Sequence, residues 1–127
     1  MDLKQACVMV VDDQASMRIL IAGNLRRLGV GHVHAFADGA SALQAVASTR
    51  PDVILTDVQM QPMDGVHLVR ALRTLPDLQL AATRVVFVSG DNSDTLRQQA
   101  DALDVLGFVD KPPSPAALAD MLTRVLG

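Results

Sequence analysis

The residues able to act together chemically are the adjacent acids Asp12 and Asp13, a lone acid at Asp57, a hydroxyl at Ser89 and a long cation at Lys111. Carboxylates gathered at one point repel each other and are protonated or splayed unless a cation joins them. Mg²⁺ suits such a set, because it takes one or two carboxylates, waters and a phosphate oxygen rather than a closed protein cage. The chemistry this predicts is capture of a phosphoryl group. Asp57 would be the nucleophile, with Lys111 and the metal neutralising the transferred group and the Ser89 hydroxyl donating a hydrogen bond to it. Asp12, Asp13 and Asp57 would hold the metal, with the backbone carbonyl of Gln59 as a further ligand.

Such a set needs elements that deliver it to one edge. Short apolar runs alternate with longer amphipathic ones along the whole chain. Residues 6–11, 53–56, 84–88 and 106–109 read as strands, and 31–36 alternates as an edge strand would. Helices are expected over 15–28, from a cap at Asp38 to Arg50, from Asp64-Gly65 through Arg73, from a cap at Ser93 and from a cap at Ser114. Residues 74–83 read as turn. Cys7 is expected to be a packed thiol in the first strand, and Arg73 to point outward.

Five strands alternating with five helices predict a doubly wound α/β fold, a parallel sheet covered on both faces. Right-handed crossovers in the order 2-1-3-4-5 place the third strand between the first and fourth. Neighbouring strands lie about 4.8 Å apart, so Asp12, Asp13 and Ser89 come within side-chain reach of Asp57, while the fifth strand is about 10 Å away. Only a long side chain closes that distance, and Lys111 is one.

In this order and placement, Asp12-Asp13, Asp57, Ser89, Phe108 and Lys111-Pro112 resemble the signature of response-regulator receiver domains of two-component signalling, of the chemotaxis-regulator-like kind. The resemblance covers nearly the whole chain, so residues 1–127 are expected to be one receiver domain. It implies a flavodoxin-like fold and Mg²⁺-dependent phosphorylation of Asp57 by a histidine kinase or phosphotransfer protein. It also implies a switch through Ser89 and Phe108 and a cis Lys111-Pro112 bond. The chain departs from the family at Gln61, where proline is usual and Pro62 follows one place later, and at Asp104, where glycine is common.

A thin apolar stripe of Leu96, Ala100 and Leu103 marks the fourth expected helix as loosely held. The face it would form with the fifth strand and the last helix is the expected docking place for a downstream protein or a second copy of the chain.

Composition narrows the classes. The chain has 127 residues, half of them hydrophobic, with a net charge of −3 and one cysteine. This fits one core without an internal disulfide, and it argues against direct binding of nucleic acid, which wants a basic face. No apolar run approaches the length needed to span a bilayer, and the N-terminus lacks the layout of a signal peptide, so a cytoplasmic protein is expected. An aspartate-nucleophile phosphatase would want its two acids two residues apart after the first strand, and a flavin binder would want aromatics where this chain has acids. The phosphatase enzyme and the cofactor binder are both set aside. A phosphorylation-independent interaction module on the same fold stays open.

Overall fold

In the computed structural model, residues 1–91 and 93–127 are described. Five parallel strands form one sheet: β1 (Cys7–Val11), β2 (His32–Phe36), β3 (Val53–Asp57), β4 (Arg84–Ser89) and β5 (Phe108–Asp110), in the order β2-β1-β3-β4-β5. All pairings are parallel, so each strand returns through a crossover, and all five carboxyl ends point to one edge.

Successive side chains of a strand point to opposite faces, and two cores result. Met9, Val11, Ile54, Val85 and Phe87 pack on one face against α2 (Gly39–Thr49), α3 (Gly65–Arg73) and α5 (Asp94–Ala102). Val8, Val10, Leu55, Val86 and Val88 pack on the other against α1 (Ala15–Arg27) and α6 (Pro115–Leu126). Each fully buried Leu, Val or Phe contributes about 1.5–3 kcal/mol, so central strands apolar on both faces hold the edge that carries the acids.

Helix starts follow the predicted caps at Asp38, Ser93 and Ser114 and the predicted opening at Asp64-Gly65. Asp38, Asp64, Ser93 and Ser114 each accept a backbone N–H from the first turn of the helix that follows. A sixth helix, α4 (Leu78–Ala81), corrects the expected count of five. It forms in the stretch read as turn because Asp77 caps Gln79 and Leu80 while Leu80 is buried. No helix among the described residues is long and apolar enough to cross a membrane.

Other readings shift in detail. β5 begins at Phe108 rather than at residue 106, and Leu106 is left 55% exposed. Cys7 is half-buried rather than enclosed; its Sγ lies 3.8 Å from the Thr49 carbonyl, and burial, with Asp52 nearby, holds the thiol above its ordinary pKa. Arg73 turns inward. Its Nε donates to the Leu103 carbonyl at 2.9 Å and its Nη1 to those of Ala81 and Thr83 at 2.8 and 2.6 Å. One guanidinium thus joins the end of α3, the approach to β4 and the end of α5, at the amino edge of the sheet. Asp104, the non-glycine at a turn where glycine is common, has φ +58°.

Candidate functional site

The carboxyl ends of the strands bring every predicted polar residue to one edge. Asp57 is the last residue of β3, Ser89 the last of β4, and Asp12 follows β1; all three are buried, at 6%, 5% and 1% exposure. Asp13 is exposed. One oxygen from each of Asp12, Asp13 and Asp57 lies within 4.8 Å of the others. Lys111 reaches in from beyond β5, placing Nζ 3.0 Å from Asp57 Oδ2 and 3.3 Å from Asp12 Oδ2.

Asp12 is tied down through three of its polar groups. Its N–H donates to the Phe36 carbonyl at 3.1 Å, its Oδ1 accepts the Gln14 N–H at 2.9 Å, and its carbonyl accepts Arg18 Nη1 at 2.8 Å. The fourth, Oδ2, is buried and makes no hydrogen bond; the Lys111 ammonium is near enough for an ion pair but outside hydrogen-bonding geometry. Burial is the largest influence on this carboxyl and raises its pKa. The Asp57 charge adds to the rise, against the Gln14 N–H and Lys111, which lower it. For Lys111, burial disfavours the charge, but the hydrogen bond to Asp57 and the charges of Asp12 and Asp57 together outweigh it and raise the pKa.

This donor set fits a hard divalent cation. It offers carboxylate oxygens from three residues, one of them a buried oxygen without a hydrogen bond, and such an atom is costly unless a cation meets it.

The neighbouring loops shape the approach. Gly65 opens α3 against the end of β3: its N–H donates to the Val58 carbonyl at 2.8 Å, and a Cβ there would sit 2.4 Å from the Asp57 carbonyl oxygen. Any larger residue would push α3 off the strand that carries Asp57. Met60 is buried beneath this loop, and Met63 packs over Gly39. Gln61-Pro62 and Lys111-Pro112 are both cis. A cleft of about 310 Å³ opens over Asp57, lined by Gln14, Gln59, Ser89, Gly90, Asp91 and Lys111. The Ser89 hydroxyl accepts the Asp91 N–H at 2.9 Å. Phe108 sits away from the cleft, half-buried, edge-on to Phe87 at 5.8 Å, with the Arg97 guanidinium 6.0 Å from its ring centre.

Gln14 and Arg18 are the site residues that sequence reasoning missed. Arg18 reads as an ordinary polar-face residue of α1. Its available signal is position, since a cation in the first turns of a helix opposes the macrodipole and wants a local reason.

A parallel sheet in this order, with an acid cluster at its carboxyl edge, is the flavodoxin-like arrangement of a doubly wound domain. The family described as response regulator receiver domain matches residues 8–123, and the chain belongs to it. It is 30% identical over 120 residues to the probable chemotaxis protein CheY of Rhizobium etli, covering 94% of this chain and 92% of that one. It is 34% identical to the response regulator MprA of Mycolicibacterium vanbaalenii, covering 93% of this chain but spanning only about half (48%) of that protein. Among solved structures, chemotaxis protein CheY4 of Vibrio cholerae superposes with a TM-score of 0.87 at 33% identity, over 94% of this chain and 98% of that one. A response regulator receiver protein of Pseudomonas putida gives 0.83 at 27%, over 94% and 96%. The chain is therefore a receiver domain of the flavodoxin-like fold, a regulatory module rather than an enzyme, with the clustered acidic pocket typical of the phospho-accepting site of two-component signalling. Membership supports a histidine kinase or phosphotransfer protein as its partner.

Proposed function

We propose that Asp57 is the phospho-acceptor of this receiver and that its phosphorylation switches a protein-binding face. The observation that carries the reading is the placement of Asp57: buried at a strand end, 3.0 Å from Lys111, between the Asp12-Asp13 pair and Ser89, and opening onto the cleft. A carboxylate oxygen of Asp57 attacks the phosphorus of a phosphoimidazole. The N–P bond breaks as the O–P bond forms, and the freed imidazole keeps the electron pair. Lys111 neutralises charge on the phosphoryl oxygens, and the Ser89 hydroxyl turns from its place beside Asp91 to donate to one of them. Asp12, Asp13 and Asp57, with the Gln59 carbonyl, would hold Mg²⁺, which supplies electrostatic stabilisation of the transferred group when bound.

The output follows from what borders Ser89. When its hydroxyl moves, the space beside Phe108 changes, and α5 is the thinly held neighbour with only Leu96 and Ala100 buried. The face of α5, β5 and α6 is the proposed place for a downstream protein or a second copy of the chain. Phosphorylation would bias two pre-existing states of that face by about 1–3 kcal/mol.

Intact mass after incubation with acetyl phosphate and Mg²⁺ tests the assignment. One labile phosphoryl adduct is expected, lost with EDTA and in Asp57→Asn; an unchanged adduct in that variant overturns it. A protein that gains no adduct and still binds its partner would be the phosphorylation-independent module. For the face, beryllofluoride with Mg²⁺ is expected to shift the amides of Arg97, Phe108 and Ala117, and shifts confined to the loops around Asp57 would separate site from face.

A further inference from the structure

We propose that Arg18 is a positioning residue for the acid pair: by gripping the Asp12 carbonyl it fixes the Asp12-Asp13 turn in the geometry that receives a divalent cation. The proposal rests on the reading of Asp12, Asp13 and Asp57 as a cation site. Arg18 Nη1 lies 2.8 Å from the Asp12 carbonyl oxygen, six residues back along the chain and across the junction between β1 and α1. With the Phe36 carbonyl and the Gln14 N–H it completes a three-point hold on Asp12 that leaves only Oδ2 without a hydrogen bond.

The helix dipole disfavours an arginine at this position. Arg18 is the fourth residue of α1, near the positive end of the helix dipole, in a helix with no acidic residue in its first turn and no side-chain hydrogen bond from its cap Gln14. Arg26 and Arg27, at the favourable end of the same helix, are exposed, whereas Arg18 is half-buried. A residue that breaks a local rule while making one well-formed contact beside the site is best explained by that contact. A guanidinium also suits the task chemically, because it stays charged and holds a carbonyl without itself becoming a ligand.

Positioning and simple charge predict opposite signs. If Arg18 acted only as a nearby positive charge it would repel the metal, and its removal would tighten Mg²⁺ binding. If it positions Asp12, its removal loosens an outer contact of a ligand residue, a change that typically weakens affinity by about tenfold or more.

The experiment is an amide NMR titration with MgCl₂ at constant ionic strength on wild type, Arg18→Met, Arg18→Lys and Arg26→Met, with thermal melts alongside. Arg18→Met is expected to bind Mg²⁺ about tenfold more weakly, Arg18→Lys to recover part of the loss, and Arg26→Met to match wild type. The Gln14 amide, which reports the Asp12 Oδ1 contact, is expected to move in Arg18→Met before any metal is added. Arg18→Gln, too short and uncharged to replace the grip, is expected to show the same loss and serves if Arg18→Met does not fold. Folded Arg18→Met or Arg18→Gln binding as tightly as wild type, or tighter, overturns the positioning role. A wild type whose amides around Asp57 ignore Mg²⁺ overturns instead the cation site on which it rests.

Discussion

Two half-buried cations stand at opposite edges of the sheet, and they are answered differently. At the amino edge, Arg73 meets backbone carbonyls: its planar fork satisfies Leu103, Ala81 and Thr83, closing three chain segments around one group. At the carboxyl edge, Lys111 meets carboxylates, one ammonium among Asp12, Asp13 and Asp57, and Asp12 Oδ2 still lacks a hydrogen bond. The first arrangement is complete within the chain and holds the fold. The second is left short of positive charge, and that shortfall is what a divalent cation can fill. Burial near a polar cluster is thus not what marks a site. What marks it is a buried carboxylate oxygen left without a hydrogen bond.

The comparison can be broken at its strongest point first. Arg73→Ala should strip the carbonyls of Ala81, Thr83, Leu103 and Asp104 of this donor and lower unfolding free energy by about 3 kcal/mol, read by urea denaturation, while leaving the Asp57 adduct intact in mass spectra at temperatures where the variant is folded. Loss of the adduct in a folded variant would show that the two edges are not separable.

Lys111→Met should cost about 2 kcal/mol at neutral pH in EDTA, because buried carboxylates lose their ammonium. The wild-type lysine has its pKa raised by the fold, so its contribution is whole below the ordinary lysine range and is lost as pH climbs through the raised value. The gap between wild type and variant in urea melts should accordingly narrow in strong alkali. It should narrow again in acid as the carboxylates take up protons.

The smallest effect has the opposite sign. Asp12→Asn should stabilise the metal-free protein by about 1 kcal/mol at neutral pH. The fold raises the pKa of Asp12, chiefly by burial, so the native state holds this proton more tightly than the unfolded chain. Stability contributed by that proton is full below the ordinary aspartate value and is lost as pH rises through the raised one. Urea midpoints from pH 3 to 7 should fall less for the variant than for wild type. An identical pH slope would mean that Asp12 is not the strained acid of the edge.

What was legible in the sequence was whatever a strand or a cap states locally. Continuous apolar runs ending in Asp12, Asp57 and Ser89 announced central parallel strands and put those groups at one edge. Asp38, Asp64, Ser93 and Ser114 announced helix starts. What was illegible depended on distant partners. Arg73 sits on an amphipathic helix where an outward cation is the ordinary reading, and only the arrival of residues 81–83 and 103 turns it inward. Helix α4 is four residues long, too short for periodicity, and Asp77 was its one signal. Leu106 looked like strand because it is apolar, yet it stays exposed before β5 begins. Arg18 offers only its position near the start of α1 as a signal, and its partner, the Asp12 carbonyl, is met only once the turn before α1 has folded.

The grip of Arg73 on Leu103 has a mechanical consequence for α5. Leu103 is the C-cap of that helix, while its first turn starts from Ser93, close beyond Ser89 and Asp91. A rod held by a hydrogen bond at its far end resists sliding more than tilting, so a push at its near end favours a pivot about the guanidinium. Arg97 lies one turn along the free arm, over the ring of Phe108. A small displacement beside Ser89 would therefore reach the surface as a rotation that is greatest at the start of α5, carries Arg97 across Phe108, and fades to nothing at Leu103.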